Sequence, residues 1–329
     1  MKPPATLKVG RKRVPVTNLD KVLYPEAGFT KGAVIDYYVR VSATLLPHLN
    51  SRPVTLKRYP NGVQRPFFYE KQCPPHRPDW IQTAAVTRDS GGSIDYCLLD
   101  GLPALVWAAN LANLEVHTFL HRAGAMSRPN FLVFDLDPGP PADLVSCAEV
   151  AALLKQAFDG LQLASFPKTS GSKGLQVYVP LNSAATYAQT KPLAATVAQE
   201  LEARFPERVV ARMQKGLRAG RVLVDWSQND EHKTTVCAYS LRARPRPTVS
   251  TPVTWPEVAG AVQAKDARLL TFEPPAVLDR VEREGDLFGL VLTLKQKLPR
   301  PEALRDAIRQ LRPAPVTVDR RAPGTDPPE

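Results

Sequence analysis

Two acidic residues at the end of one apolar run are the first candidates for chemistry in this sequence. Asp135 and Asp137 are separated by a single residue in the segment 130–137, whose composition predicts a β-strand. Alternate residues of a strand project to the same face, about 7 Å apart along the strand. Two carboxylates in one such place repel each other unless cations neutralise them, so the pair could hold two divalent metal ions. An Asp-rich turn that caps the strand is the ordinary alternative.

A third acidic residue and a polar turn could complete such a site. Asp225 ends the apolar segment 221–225 and would join the pair if the two strands are neighbours. Residues 168–174 read Lys-Thr-Ser-Gly-Ser-Lys-Gly, a turn whose hydroxyl and N–H groups could bind phosphate oxygens. It lacks the Walker A spacing, and an exposed hairpin is the alternative. Lys233, Arg242 and Arg244, downstream of the third acid, could face a triphosphate, although basic residues alone usually form a solvated face.

An alternation of strand-like and helical segments must position these residues. Asp143 is the predicted N-cap of a helix that reaches residue 158. The other segments are predicted strands at 53–59, 163–168, 175–181 and 221–225, helices at 31–49 and 185–205, a buried helix running into a strand at 102–120, a turn or helix start at 18–25 and a loop at 65–80. This alternation favours an α/β or α+β architecture.

Composition indicates a globular protein with an anionic partner. The chain has 329 residues and 43% hydrophobic content, which is enough for a substantial core. Its 43 Lys and Arg against 32 Asp and Glu give a formal charge of +11. Such an excess attracts polyanions and makes their binding salt-sensitive, so nucleic acid is the first partner to test.

Cysteine usage and hydropathy predict a cytoplasmic protein. The four cysteines are far apart and form no Cys-x-x-Cys pair, so neither a disulfide framework nor a zinc ribbon is expected. Cys73 and His76 have a spacing that metal ligands sometimes use, but no second pair completes a site, and they are interpreted as non-ligands. No stretch approaches the roughly 20 apolar residues of a membrane span, so we expect no membrane association and a cytoplasmic, nucleoid-associated location.

Several motifs in one order resemble the polymerase domain of the LigD proteins of bacterial non-homologous end joining, in the archaeo-eukaryotic primase superfamily. The resemblance covers roughly residues 15–300. It is carried by residues 135–138 (Asp-Leu-Asp-Pro), 168–174, 225–229 (Asp-Trp-Ser-Gln-Asn), 233–235 (Lys-Thr-Thr) and 18–25 (Asn-Leu-Asp-Lys-Val-Leu-Tyr-Pro). This chain is therefore interpreted as a stand-alone relative of that domain.

The resemblance implies a fold and an activity. The fold would be α/β, with a primase-like central sheet that carries three catalytic acids, Asp135, Asp137 and Asp225, between flanking helices. The activity would be that of a metal-dependent polymerase or primase that adds nucleotides, often ribonucleotides, to DNA ends or gaps during repair. Two Mn²⁺ or Mg²⁺ ions held by the three acids would be the cofactors, and a nucleoside triphosphate would be the substrate.

The resemblance also implies roles for individual residues. The residues that would contact the incoming nucleotide are His117, at its sugar, and Ser170, Ser172, Lys173, Gln176, Lys233 and Arg242. The residues that would contact DNA are Asn18, Lys21 and Lys31, in a pocket for a 5′-phosphate, Phe67 and Phe68, stacked on template bases, and Arg218, near the primer end.

Two departures from the LigD pattern affect function. Gln176 stands where the fused LigD members usually have His, and its amide can donate a hydrogen bond but cannot carry charge. The chain shows no ligase or nuclease domain, so it is expected to act with a separate DNA ligase and Ku, or in another pathway. Residues 1–300 are the predicted catalytic domain, and residues 301–329 are a predicted Pro- and Arg-rich tail, partly disordered.

Two other classes of function remain open. The first is a non-catalytic module that binds DNA ends through the 5′-phosphate pocket; retention of all three acids argues against it. The second is a glycosyltransferase that uses its Asp-x-Asp motif to bind a nucleotide sugar, although this gives no reason for the basic pocket or the aromatic pair.

Overall fold

The computed structural model describes residues 5–88 and 90–312. The strands are β1 Ala5–Val9, β2 Lys12–Val16, β3 Val22–Tyr24, β4 Phe29–Thr30, β5 Pro53–Arg58, β6 Phe68–Glu70, β7 Thr83–Thr87, β8 Ser93–Leu98, β9 Asn113–Phe119, β10 Phe131–Pro138, β11 Phe166–Thr169, β12 Leu175–Pro180, β13 Val209–Val210, β14 Val222–Asp225, β15 Thr234–Val236, β16 Leu241–Ala243 and β17 Pro247–Val249. The α-helices are α1 Lys31–Arg40, α2 Ser42–Leu49, α3 Leu102–Asn110, α4 Leu144–Gly160, α5 Tyr187–Arg204, α6 Trp255–Ala264, α7 Pro274–Glu284, α8 Gly289–Thr293 and α9 Pro301–Arg309.

A five-stranded sheet carries the candidate acids. Its order is β11-β12-β10-β14-β13, with β10 at the centre. One face of β10, β12 and β14 is buried together with α4 and α5, and on the other face Phe131, Val133 and Tyr178 belong to the second hydrophobic core. Burial on both faces explains why these strands read as continuous apolar runs in the sequence. Asp143 caps α4 as predicted, since its Oδ1 accepts hydrogen bonds from the N–H groups of Val145 and Ser146.

A six-stranded sheet forms the other half of the molecule. Its main path is β15-β9-β5-β8-β7, and β6 pairs with β5 at one end. Helices α1 and α3 pack in the hydrophobic core that covers this sheet. The two sheets face a common cleft, which receives side chains from β10 and β12 on one side and from β6, β9 and β15 on the other. The cleft therefore forms only when the two sheets, which come from distant parts of the chain, pack together.

Four local predictions are corrected by the structure, and the first is the loop at 65–80, which contains the short strand β6. The helix predicted at 31–49 is two helices separated by Val41, and the turn or helix start at 18–25 contains the short strand β3. Cys73 and Cys97 form a disulfide with their Cα atoms 4.9 Å apart, although no disulfide was expected. The loop between β6 and β7 folds back so that the Cys73 N–H donates to the Asp95 carbonyl of β8, a contact that cysteine spacing does not reveal.

Packed structure continues past residue 300, where the sequence places the domain boundary. Leu304 and Ile308 of α9 are 0% and 1% exposed and belong to the core of the five-stranded sheet. The remainder of the predicted tail, residues 313–329, lies outside the described residues. Among the described helices, none combines the length and the apolar character that crossing a membrane requires.

Candidate active site

The three acids meet on one face of the five-stranded sheet. Asp135 of β10 lies directly opposite Asp225 of β14 in antiparallel register. Asp137 is two residues further along β10 and therefore projects to the same face. Directly opposed side chains have Cβ atoms about 4.5–5.5 Å apart. The prediction that the second apolar strand lies beside the first is confirmed, and we call these three residues the acid cluster.

Burial, reinforced by the crowding of like charges, dominates the electrostatics of the acid cluster. Burial raises the pKa of Asp135, and the neighbouring charges of Asp137 and Asp225 raise it further. Burial also raises the pKa of Asp137, again assisted by Asp225. Both shifts mean that the ionised carboxylates are held at a cost in free energy. A bound cation would offset that cost.

The donor chemistry of the acid cluster fits a divalent ion. Carboxylate oxygens are preferred ligands of hard cations such as Mg²⁺. Within the described residues, however, no three His, Cys, Asp or Glu side chains are already arranged around one ion position. One reason is that Oδ1 of Asp225 accepts hydrogen bonds from the Ser227 N–H at 2.8 Å and from the Ser227 hydroxyl at 2.5 Å. A metal would need this carboxylate to adjust.

Lys233 reaches the acid cluster through Ser227. Its Nζ donates to the Ser227 hydroxyl oxygen at 2.5 Å, and that hydroxyl in turn donates to Asp225. The ammonium is otherwise exposed. It is therefore close to the acids and still available to an anionic ligand.

The polar turn between β11 and β12 is packed against the acid strand. A Cβ at Gly174 would lie 2.1 Å from the Leu136 carbonyl oxygen, and a Cβ at Gly171 would lie 2.5 Å from the carbonyl carbon of Val249, so only glycine fits at either position. The Ser170 hydroxyl accepts hydrogen bonds from the N–H groups of Ser172 and Gly174. The turn is thus rigid, with the side chain of Lys173 exposed at its tip.

Gln176 and Lys168 extend the row of side chains that starts at the acids. Lys168 lies opposite Gln176, Gln176 opposite Asp135, and Asp135 opposite Asp225 across four adjacent strands. The Gln176 amide donates to the Thr235 hydroxyl at 2.8 Å. Lys168 is fully buried and donates to the Ser250 hydroxyl at 2.7 Å. Burial lowers the pKa of Lys168, while the charge of Asp135 opposes that shift.

The opposite wall of the cleft contains a buried ionic cluster around Glu115. His117 lies 2.9 Å from Glu115 through Nε2, and Arg242 and Lys57 lie 3.3 and 3.4 Å from the same carboxylate. Burial alone would raise the pKa of Glu115, but the hydrogen bond from His117 and the positive charge of Arg242 hold it well below its usual range. Arg242 also donates to the Ser170 carbonyl at 2.7 Å, so it joins the polar turn to this wall.

A cleft of about 290 Å³ brings most of the predicted nucleotide residues together. Its lining contains Asp135, Asp137, His117, Ser170, Ser172, Lys173, Gln176 and Arg242, and also Tyr69, Gln228, Thr234, Thr235 and Val236. None of the last five was predicted as a site residue. Gln228, Thr234 and Thr235 lie in two of the motifs that carry the resemblance, whereas Tyr69 and Val236 lie in no motif and enter the site through long-range packing.

Arg218 lies beside the cleft. Its loop is fixed against the end of β10, because a Cβ at Gly139 would lie only 1.9 Å from the Arg218 carbonyl oxygen. The guanidinium donates to the Met213 carbonyl at 2.8 Å. Burial raises the pKa of Asp137, but the charge of Arg218 partly offsets this effect, so the two groups are near neighbours.

The residues predicted for a 5′-phosphate meet at a second place, which we call the phosphate pocket. Asn18, with a positive φ of 52°, forms a turn in which its carbonyl accepts the Lys21 N–H at 3.0 Å. The Lys31 N–H then donates to the Lys21 carbonyl at 2.8 Å. Burial, followed by repulsion from Lys21, lowers the pKa of Lys31 to about 8. These bonds and this repulsion place Lys21 and Lys31 near each other, with Asn18 at the start of the turn.

The aromatic pair is presented to solvent on the six-stranded sheet. Phe67 and Phe68 are 50% and 60% exposed, which is unusual for large apolar side chains. The ammonium of Lys57 lies 4.5 Å from the Phe67 ring centroid. The next residue, Tyr69, lines the cleft, so this exposed surface is continuous with the candidate active site.

The sequence model of one protein family matches most of this chain. The model described as "LigD, primase-polymerase domain" matches residues 30–288. The chain belongs to the LigD primase-polymerase family. This confirms the resemblance drawn from the motifs and the assignment to a family of nucleotidyltransferases.

Three curated LigD proteins are similar to this chain over most of its length. The multifunctional non-homologous end joining protein LigD of Mycolicibacterium smegmatis is 40% identical over 312 residues, 93% of this chain and 40% of that protein. The Mycobacterium tuberculosis H37Rv protein is 41% identical over 316 residues, 93% and 41% of the two chains. The bifunctional LigD of Bacillus subtilis is 33% identical over 270 residues, 82% and 42%. This chain thus spans about 40% of the length of these relatives.

A solved structure of a LigD polymerase domain is similar to this fold. The polymerase domain of Mycobacterium tuberculosis ligase D, in complex with DNA, is 41% identical, with a TM-score of 0.79. The match covers 87% of this chain and 100% of that one. The predicted mixed α/β fold of the LigD polymerase domain is therefore confirmed.

Proposed function

We propose that this chain is a divalent-metal-dependent nucleotidyltransferase that adds nucleotides, ribonucleotides preferentially, to DNA ends or gaps in non-homologous end joining. The observation that carries the proposal is the register of β10 and β14. It sets Asp135 opposite Asp225, with Asp137 beside them, and two of these acids line a cleft that also contains the polar turn and Arg242. Anionic and cationic groups thus face each other across the space that a metal-bound triphosphate needs.

Asp135, Asp137 and Asp225 would hold the metal ions. Bound Mn²⁺ or Mg²⁺ would neutralise the acid cluster, polarise the phosphoryl oxygens and activate the attacking hydroxyl. The raised pKa values of Asp135 and Asp137 support this role, because burial and the neighbouring carboxylates both make the ionised form costly, and a cation would offset that cost.

The chain's own residues would bind and orient the nucleotide. Ser172, Lys173 and the N–H groups of the polar turn would bind phosphate oxygens from one side, and Arg242 and Lys233 from the other, since charge-assisted hydrogen bonds to phosphate are the strong ones. Ser170 would act mainly by fixing the turn through its hydrogen bonds. Gln176 could donate to a phosphate from the sheet, and His117, held by Glu115, would lie at the sugar.

The DNA would bind on both sides of the cleft. The phosphate pocket would take a 5′-phosphate, and Phe67 and Phe68 would stack on unpaired template bases, as exposed aromatic side chains do in proteins that bind single strands. Arg218, beside Asp137, would approach the primer end. The related polymerase domain whose structure contains DNA supports a DNA ligand, and end joining would bring Ku and a DNA ligase as partners.

A primer-extension assay tests the proposal. The substrate is gapped DNA with a 5′-phosphate, supplied with ribo- or deoxynucleotides and with Mn²⁺ or Mg²⁺. We expect addition only with a divalent ion, and faster addition of ribonucleotides. No addition under any of these conditions, from protein that binds the DNA, would contradict the proposal.

A non-catalytic module that binds DNA ends is the second candidate. Two observations favour it. The Asp225 carboxylate is already hydrogen-bonded to Ser227, which competes with metal binding, and Gln176, bonded to Thr235, adds no positive charge for a triphosphate. The same assay distinguishes the two, since this candidate predicts preference for 5′-phosphorylated ends without extension. Label transfer from a nucleoside triphosphate rather than from a sugar nucleotide would exclude a glycosyltransferase.

A further inference from the structure

A basic β-hairpin precedes the phosphate pocket. Strands β1 and β2 form it, with the pairing Ala5 to Val16 at its open end and Gly10 and Arg11 in its turn. Residues 1–19 contain five Lys and Arg and no Asp or Glu. The family match begins at residue 30, so the family model does not cover the hairpin.

The two faces of the hairpin differ sharply. Val14 and Val16 on one face are fully buried. On the other face Lys8 lies directly opposite Arg13, and both are exposed, as is Arg11. Like charges directly opposite each other destabilise a strand pair. Among the described residues no ion pair involves any of these three cations. The repulsion between Lys8 and Arg13 is therefore not offset within the protein, and a bound anion would reduce it.

The hairpin is fixed to the domain. The Thr17 N–H donates to Oδ1 of Asn110 at 2.9 Å, and Nδ2 of Asn110 donates to the Pro15 carbonyl at 3.2 Å. On the same strand, the Lys12 ammonium lies 5.9 Å from the Trp80 ring centroid. The side-chain amide of Asn110, at the end of helix α3, therefore fixes the hairpin to the domain. As a result, the face with Lys8 and Arg13 has one fixed direction.

The open end of the hairpin forms a wall of the phosphate pocket. A cavity of about 660 Å³ is lined by Ala5 and Val16 together with residues 17–21, which include Asn18 and Lys21. The Lys31 ammonium donates to the Thr17 hydroxyl oxygen at 3.2 Å, which links the pocket directly to the end of β2. A strand that leaves the pocket on this side would therefore meet the hairpin next.

We propose that Lys8, Arg11 and Arg13 bind the phosphodiester backbone of the DNA strand whose 5′-phosphate occupies the phosphate pocket. The inference rests on the proposed function. Five-residue strands are about 16 Å long, and successive phosphates of one duplex strand are about 3.4 Å apart along the axis, so the hairpin can follow about four or five phosphates. These contacts position the downstream duplex without reading its sequence.

Binding titrations on gapped DNA test the inference. The downstream duplex is either about 3 or about 12 base pairs long, shorter or longer than the proposed footprint. We expect the wild-type protein to bind the longer form more tightly, and the triple variant Lys8→Ala, Arg11→Ala, Arg13→Ala to lose that gain. The salt slope on the longer form should fall by up to about 2.7, roughly 0.9 for each lost phosphate contact.

Two control variants make the outcome decisive. The triple variant Arg283→Ala, Arg309→Ala, Arg312→Ala removes the same charge from exposed positions in the C-terminal part of the described chain and should keep the length dependence. The charge-retaining variant Lys8→Arg, Arg13→Lys should bind like wild type. If both triple variants lose affinity equally, or if the charge-retaining variant binds as weakly as the alanine variant, the inference is wrong.

Failure of the proposed function would look different. It would show as absent extension and as equal binding of phosphorylated and dephosphorylated ends by the wild-type protein. The hairpin is judged by the dependence on duplex length, which is compared between variants on the same phosphorylated DNA. Melting curves verify the fold, and the buried face of the hairpin, which contains Val14 and Val16, is unchanged in every variant.

Discussion

The acid cluster brings negative charges together, and the phosphate pocket brings positive charges together. In the acid cluster, burial and mutual repulsion raise the pKa of Asp135 and Asp137. In the phosphate pocket, burial and repulsion from Lys21 lower the pKa of Lys31 to about 8. Each group is thus held in a state that an ion of the opposite sign would stabilise. The comparison shows that both sites store unfavourable electrostatic energy that ligand binding can release.

The two sites differ in how the backbone builds them. Strand register fixes the acid cluster at the centre of a sheet, whereas a turn at Asn18 and the start of helix α1 assemble the phosphate pocket at the surface. A rigid, half-buried site suits chemistry, and a surface site suits recognition of the DNA end. Substitutions in the first should therefore change rate, and substitutions in the second should change the choice of DNA.

Removal of one acid should have the largest effect. Asp135→Ala or Asp137→Ala should abolish nucleotide addition and leave DNA binding almost unchanged, because in the proposed function the acids hold the metals while the basic surface holds phosphates. Primer extension and fluorescence anisotropy on the same samples measure the two properties. Asp306→Ala, an exposed acid on α9, is the control. Extension within a few-fold of wild type would refute the metal assignment.

Loss of a phosphate contact in the cleft should change nucleotide affinity. Lys233→Ala and Arg242→Ala should each raise the nucleotide KM by about 10- to 150-fold, the equivalent of about 1.5–3 kcal/mol for a charge-assisted hydrogen bond. DNA affinity should fall much less. Steady-state kinetics with Lys295→Ala as an exposed-lysine control provide the test. An unchanged KM would show that neither side chain contacts the nucleotide.

Removal of a lysine from the phosphate pocket should affect only the choice of DNA end. Lys21→Ala or Lys31→Ala should reduce the preference for a 5′-phosphate over a 5′-hydroxyl by about 10-fold, since one charge-assisted contact is lost. Titrations at fixed salt with both DNAs measure the preference. Equal weakening on both DNAs would mean that the lysines are general DNA contacts.

The pH dependence of that preference has a definite sign. Because the pKa of Lys31 is about 8, its ammonium form is depleted as the pH rises above 8, and the preference for a phosphorylated end should decline there. Lys31→Arg keeps its charge and should remove the decline. A wild-type preference that is constant between pH 7 and pH 9.5 would contradict this role for Lys31.

The acid cluster was largely predictable from the sequence, because the pattern of apolar residues within each strand is enough to identify it. The runs that end in Asp135–Asp137 and in Asp225 are continuous and apolar because both strands are buried, so strand type and side-chain facing follow from the pattern. The order of motifs supplied the family. The residues of the phosphate pocket were proposed through the resemblance, and the structure places Lys21 and Lys31 near each other. No local pattern in the sequence distinguishes these two lysines from other lysines.

The remainder depends on contacts between distant segments. Lys168 reads as part of a polar turn, yet the register with Gln176 makes it a buried member of the acid row. Tyr69 enters the cleft only because β6 pairs with β5, and Cys73 meets Cys97 only because the intervening loop folds back. In α9, Leu304 and Ile308 are a sparse apolar signal among prolines and charges. Sequence pattern gives facing within a strand, but not which strands are neighbours.

Neutralisation of an acid should stabilise the protein. The pKa of Asp135 is raised in the folded state, so the protonated form favours folding, and this contribution is lost as the pH rises above the ordinary range of Asp. Asp135→Asn should therefore melt roughly 2–4 °C higher than wild type at pH 8, and the difference should vanish near pH 4. Mn²⁺ should raise the melting temperature of wild type more than that of Asp135→Asn. Identical metal shifts would contradict metal binding by this acid.

The smallest expected effect concerns Gln176, which lies between Lys168 and Asp135 in the row. Gln176→His should leave nucleotide addition unchanged or raise it a few-fold, because an imidazole can donate to the triphosphate and adds charge when protonated. Because an imidazole is protonated more at pH 6 than at pH 8, the gain should be larger at pH 6. It should be larger still at pH 6 in a Lys168→Met background, which removes the neighbouring positive charge. Single-turnover rates for the four combinations measure this coupling. A large loss in Gln176→His alone would show that this chain requires the Gln176 bond to Thr235.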